Sequence, residues 1–130
     1  MAAASDRGLK GPGAAGGSLG RVDVTLAAHV ERFNAGVRAG DFTPMLAAFA
    51  PSAELVFEGV PVGPFVGIDA IATAYAEQPP DDEVILLSSS RLEAGTEVAD
   101  YAWARDGRHA GQLLLTARDD AIVKLVITFV

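Results

Sequence analysis

The sequence predicts an α+β fold in which three helical segments cover one face of an antiparallel-rich sheet, and three features of the 130-residue chain predict it. Apolar residues recur at helical spacing in the first half. Four segments rich in Val, Ile and Leu follow one another between residues 83 and 129. Only short turns separate those four, so they are expected to form an antiparallel meander.

Residues 1–20 hold six of the fourteen glycines among alanine and serine, a mixture that buries little and costs much backbone entropy to order; they are expected as a flexible leader to a single domain over 21–130. From Val22 the pattern changes. Leu26, Val30, Phe33 and Val37 lie four, three and four apart, on one stripe of a helix ending near Gly40. A short second helix follows, with Thr43 as its cap, Pro44 at the first helical position and Phe42, Leu46 and Phe49 as its apolar spacing before Pro51. Residues 53–58 read as a strand. The glycines and prolines of 59–67 allow at most a short edge strand in a rigid loop. Ile68, Ile71 and Tyr75 share a face of a third helix that opens at Gly67 and closes at Pro79-Pro80. Strands are expected over 83–92, 97–105, 111–118 and 122–129, with turns at Gly95, Asp106-Gly107 and Asp119-Asp120. The competing architecture is a helix-on-sheet sandwich with no cavity.

Composition excludes several functions. The formal charge is −7, and the ten basic side chains are scattered rather than clustered, which disfavours nucleic acid as a partner. With no cysteine and two distant histidines, neither a disulfide framework nor a metal site is expected, and no cofactor is expected either. No apolar run reaches the ~20 residues that span a bilayer, so no membrane partner is expected and a cytoplasmic location is.

The phrases Ala39-Gly40-Asp41-Phe42, Phe49-Ala50-Pro51-Ser52-Ala53-Glu54-Leu55 and Gly67-Ile68-Asp69-Ala70-Ile71, with Arg118-Asp119-Asp120-Ala121-Ile122 at the last turn, resemble the SnoaL-like family of the nuclear transport factor 2-like superfamily over about residues 22–130. That superfamily also contains ketosteroid isomerases and limonene epoxide hydrolases. The resemblance implies a cystatin-like cone: a curved, antiparallel-rich sheet wrapped around three helices, a cavity for a small hydrophobic ligand, and a homodimer formed through the outer surface of the sheet.

Proteins resembling ketosteroid isomerase use a carboxylate base after the first strand, and a helix tyrosine and a late-strand aspartate that both donate to the enolate oxygen. Here the resemblance sets the base at Phe57 or Glu58, the tyrosine at Phe33 and the aspartate at Leu114, so both oxyanion donors are missing. Losing one such donor typically costs ~2.7–4 kcal/mol of transition-state stabilisation, which argues against the isomerase mechanism. The hydrolase arrangement needs an inward arginine between acids, and Arg91, Arg105 and Arg118 have no clear place in it.

Glu58, between Phe57 and Gly59, is the candidate acid or base, activated if its apolar neighbours desolvate it. Tyr101 and Trp103 alternate with Asp100 and Ala102, which puts two large rings on one sheet face; Asp100 is a second candidate acid if the other face is buried. Phe33, Phe57, Phe65, Tyr75, Tyr101, Trp103 and Leu114 are the expected ligand contacts, with the Tyr75 hydroxyl wet at the cavity mouth. His29, one position off the helix stripe, and His109, in a turn, are expected to titrate in solvent. The acidic run after Pro80 is expected as a solvated, stiff connection. Two readings follow. In one the cone binds a polyketide- or steroid-like molecule, with isomerase, cyclase or hydrolase chemistry through Glu58. In the other it is a non-catalytic dimeric binding or scaffold module whose interior is filled by Phe33, Phe57 and Leu114.

Overall fold

A computed structural model describes residues 22–130, so the leader expected over 1–20 lies outside the described residues. Helix α1 (Leu26–Ala39) begins where Thr25, in extended conformation, accepts the Ala28 N–H on its hydroxyl at 3.2 Å. Glu97, reaching across from the sheet, accepts the Leu26 N–H at 3.2 Å. Two of the orphan donors of the first turn are thereby paired, and the second pairing also ties the helix to the sheet. The helix ends at Gly40, whose φ of 69° is the left-handed cap that favours glycine. Its buried stripe holds Leu26, His29, Val30, Phe33 and Gly36. Gly36 is small for a reason: a methyl group there would sit 2.5 Å from the Phe42 ring, which lies across the helix.

Helix α2 (Thr43–Leu46) corrects two expectations. Thr43 is inside the helix rather than its cap; Phe42 precedes it, and the carboxylate of Asp41 accepts the Thr43 N–H at 3.0 Å. Phe49 is not on α2 but opens strand β1 (Phe49–Phe57), four residues before the expected start. The intervening Pro51 falls in the register shift between Phe49 and Glu54, where its missing N–H interrupts no ladder bond. Strand β2 (Phe65–Val66) is the expected short edge, and α3 (Ile68–Glu77) follows it. The meander is β3 (Val84–Glu93), β4 (Thr96–Trp103), β5 (His109–Arg118) and β6 (Ala121–Ile127). The turn between β5 and β6 puts Asp119 and Asp120 at φ 55° and 63°, the twisted two-residue turn that such hairpins favour.

The six strands make one sheet in the order β2-β1-β6-β5-β4-β3. All neighbours are antiparallel except β1 and β6, which run parallel, so the sheet is not antiparallel throughout. The reason is connectivity: β1 leaves through β2 and α3, and the four-strand meander returns its last strand beside the first, pointing the same way. On the concave face Leu55, Leu125 and Leu115 stand side by side across three strands and are buried with the helices in one core.

Helix α1 is held against the far edge of that sheet by Asn34. Its amide accepts the Val84 N–H at 2.7 Å and donates to the Val84 carbonyl at 2.9 Å, imitating a neighbouring strand. The ion pair of Arg38 with Glu83, 2.7 Å, lies beside it but is largely exposed. Replacing Asn34 by alanine leaves both polar groups of a buried Val84 unpaired and is expected to lower the unfolding free energy in urea by about 1–3 kcal/mol. Arg38→Ala is expected to cost about 0–1 kcal/mol in the same measurement. Equal costs would refute the clamp.

Candidate functional site

Between the helices and the concave face of the sheet lies a cavity of about 510 Å3, within the range of small-molecule sites. Val30 and Phe33 of α1, Ala74 and Tyr75 of α3, and Leu55, Leu113 and Leu125 of the sheet form its apolar wall. Its mouth is marked by Val60, Val62 and Phe129, wall residues that are nevertheless 39%, 48% and 44% exposed. Aromatic rings reinforce that side. Phe57 meets Phe65 edge-on at 6.2 Å and stacks near-parallel with Phe129 at 6.4 Å, while Tyr101 meets Trp103 edge-on at 5.7 Å. Such rings give a flat ligand broad contact at low entropic cost. The Tyr101 hydroxyl is already used, donating to the Thr128 carbonyl at 3.2 Å.

Of the expected ligand contacts, the structure brings Phe33, Phe57, Phe65, Tyr75, Tyr101 and Trp103 together around the cavity. Leu114 stands apart. It pairs with Val98 and Val126 on the convex face, and its neighbour Leu113 points inward instead, because successive residues of a strand alternate faces. Neither leucine carries a proton to donate. Tyr75 is more deeply placed than a wet-tipped ring, at 7% exposure; burial pushes its hydroxyl pKa up and keeps it neutral.

Glu58 is exposed in the turn after β1 and is not part of the cavity wall. Its N–H donates to the Ile127 carbonyl at 2.9 Å, and the chain then turns through Gly59, at φ 88°. The desolvation suggested by its apolar sequence neighbours is therefore absent. Asp100 also lies outside, on the convex face, accepting from Gln112 at 3.1 Å and Ser88 at 3.0 Å, with His109 Nε2 at 3.2 Å. The bonds from Gln112 and Ser88, then the nearby His109, hold its carboxyl below the usual range, so it is an ionised surface group. Arg105 is gripped by Asp81 and Asp82 at 3.0 and 3.1 Å, which gives the acidic run after Pro80 its role, and Arg91 reaches Glu97 at 3.8 Å. Arg118 is exposed. None of the three arginines lines the cavity, so the hydrolase arrangement is not assembled there.

The residue that sequence reasoning missed is His29. Expected in solvent, it is 3% exposed, forms part of the cavity wall and meets Phe49 edge-on at 5.7 Å. Its Nδ1 is buried with no hydrogen-bond partner. Desolvation first, and then the Arg32 guanidinium, lower its pKa to about 4, so the imidazole is neutral at pH 7. The signal was present: Leu26, His29, Phe33 and Gly36 are spaced three, four and three apart, inside a helical stripe wide enough to hold two adjacent rows. His109, by contrast, is half-exposed as expected. Among the described residues no cluster of three or more His, Cys, Asp or Glu is placed to hold a metal, and no helix is long and apolar enough to cross a membrane.

No family model matches this sequence, and no curated protein matches it. Solved structures do. A SnoaL-like protein of unknown function from Burkholderia thailandensis superposes with a TM-score of 0.62 at 18% identity, covering 82% of this chain and 98% of the other. A candidate polyketide cyclase from Sinorhizobium meliloti gives 0.56 at 20% identity over 77% and 93%. A candidate ketosteroid isomerase from Kribbella flavida gives 0.62 at 10% identity over 79% and 76%. At these identities the likeness establishes the fold alone, the cystatin-like cone that the nuclear transport factor 2-like structures share.

The burial of His29 has a measurable consequence. The unfolded imidazole takes up its proton near pH 6.5 and the folded one near pH 4, so the unfolded chain binds more protons across that window. Stability is therefore whole above about pH 6.5 and falls as the pH drops towards 4, by about 3 kcal/mol from this residue. Urea unfolding at several pH values is expected to show that decline in the wild type and to lack it in His29→Phe. An NMR titration placing the His29 pKa near 6.5 would contradict the burial.

Proposed function

We propose that the chain binds a small, neutral, largely apolar molecule with a flat ring system inside the cone. The observation that carries this reading is the hollow itself. Interiors normally pack to the density of organic crystals and unfilled space costs stability, yet about 510 Å3 stays open here beside Phe33 and Phe57, the rings that fill it in the scaffold reading. The wall offers no cationic side chain, and its one carboxylate, Glu77, is exposed. A charged ligand would be desolvated without a partner, so a neutral one is favoured. The polyketide- or steroid-like class implied by the sequence resemblance suits such a wall, and the names of two fold neighbours point the same way. Turnover through Glu58 is not part of the reading, because its carboxylate stands in the exposed turn.

A second copy of the chain on the convex face of the sheet is part of the proposal. Val56, Val126, Leu114 and Val98 lie side by side across four strands there, an apolar ladder flanked by the polar row of Glu54, Lys124 and Thr116. A ladder of that kind, buried between two sheets and rimmed by polar groups, has the anatomy of a homodimer interface.

Titrating tetralin, an uncharged bicyclic hydrocarbon, is expected to shift the amide NMR signals of Phe33, Leu55, Tyr101 and Leu125. Ala74→Trp, which puts an indole into the cavity, is expected to weaken that binding at least about tenfold while the chain stays folded, since overpacking usually costs only about 1–3 kcal/mol. Shifts confined to the convex face, or binding that survives Ala74→Trp, count against the cavity. For the dimer, light scattering is expected to give twice the chain mass of 13.4 kDa for the wild type and a single-chain mass for Leu114→Glu. A wild type that is monomeric at every concentration removes the dimer.

A further inference from the structure

We infer that the imidazole of His29 is the polar anchor of this cavity, and that the bound molecule carries a carbonyl oxygen which accepts a hydrogen bond from it; the inference rests on the binding reading above. His29 occupies a wall position where its neighbours are Val30, Phe33 and Phe49, and where leucine or phenylalanine would pack without an unpaired polar atom. Nδ1 stays unpaired whether or not a ligand is present, so what a ligand gains is a hydrogen bond to the other ring nitrogen, Nε2, made out of water.

Which group it offers follows from the neutral state. A neutral imidazole has one N–H and one lone pair on opposite nitrogens. Nδ1 is sealed and unpartnered, and an orphaned N–H is rarer in proteins than an orphaned acceptor. The lone pair is therefore assigned to Nδ1 and the proton to Nε2, which makes the ring a donor. The Arg32 guanidinium, one turn further along α1, helps to keep the ring uncharged. Two other hydroxyls line the same space. Tyr101 is committed to Thr128; the Tyr75 hydroxyl, the Trp103 indole N–H and the Gln78 amide are competing donors, and a preference carried by any of them survives in His29→Phe.

The test uses two probes that differ in one group, 1-tetralone and tetralin, titrated by NMR into the wild type, His29→Phe, His29→Gln and Tyr75→Phe. Relative to tetralin, tetralone is expected to bind the wild type at least about fivefold better than it binds His29→Phe, the value of one ordinary hydrogen bond. His29→Gln, which restores an N–H near the same place, is expected to keep most of that preference, and Tyr75→Phe all of it. A ratio unchanged in His29→Phe overturns the inference, as does a preference lost only in Tyr75→Phe. Equal binding of both probes to the wild type overturns the anchor and leaves the cavity reading standing, whereas no binding of either removes both. If His29→Phe does not fold, the wild type alone decides: tetralone must move the His29 Nε2 imidazole resonance and tetralin must not, and the absence of a tetralone-specific shift overturns the inference.

Discussion

The hollow in this cone lies under the stretch of α1 between two fastenings to the sheet, one at its first residue, Leu26, and one just past its midpoint, at Asn34. Near the N-terminus, the Glu97 carboxylate takes the Leu26 N–H; two turns on, the Asn34 amide pairs with both polar groups of Val84, the first residue of edge strand β3. Both are bonds of fixed geometry to backbone groups, so they set a separation as well as an attraction. Leu26 is fully buried at one end and Phe42 packs over Gly36 at the other, while the span between them, from His29 to Phe33, faces open space. Hydrophobic attraction alone would draw that span onto the sheet; directional bonds on either side of it, at Leu26 and Asn34, oppose the collapse.

A cavity built this way has a low dielectric, which explains the unequal treatment of the ionisable groups. The carboxylates that reach water keep their charge: Asp100 among its donors on the convex face, and Asp82 against Arg105 beside the β3 end of the sheet. The two buried groups facing the hollow are held neutral instead, His29 by a lowered pKa and Tyr75 by a raised one. The same burial that removes charge from the interior strengthens any hydrogen bond made there. Binding with one well-placed polar contact is the chemistry such a space supports best.

The sequence disclosed the elements because their signals are local. The stripe from Leu26 to Phe33, Gly40 at the helix end, the prolines after α3 and the Asp119-Asp120 turn each act over a few residues. Long-range decisions were less readable. The parallel pairing of β1 with β6 depends on where the whole meander returns, and the extension of β1 back to Phe49 depends on a partner strand more than seventy residues away. Single-residue phase errors did the most damage at the site. One step along β5 exchanges Leu114 for Leu113, and one row on α1 separates a solvent histidine from a buried one. Glu58 looked desolvated because its sequence neighbours are apolar, but a turn at Gly59 carries it outward.

The most direct measurement is a crystal structure of the protein under xenon pressure, since xenon enters apolar cavities without needing a polar partner. Xenon is predicted inside the cone, in contact with Phe33, Leu55, Tyr101 and Leu125, with the two fastenings of α1 intact. A xenon-free interior in which Phe57, Phe65 and Phe129 have swung in to fill the space would contradict the account.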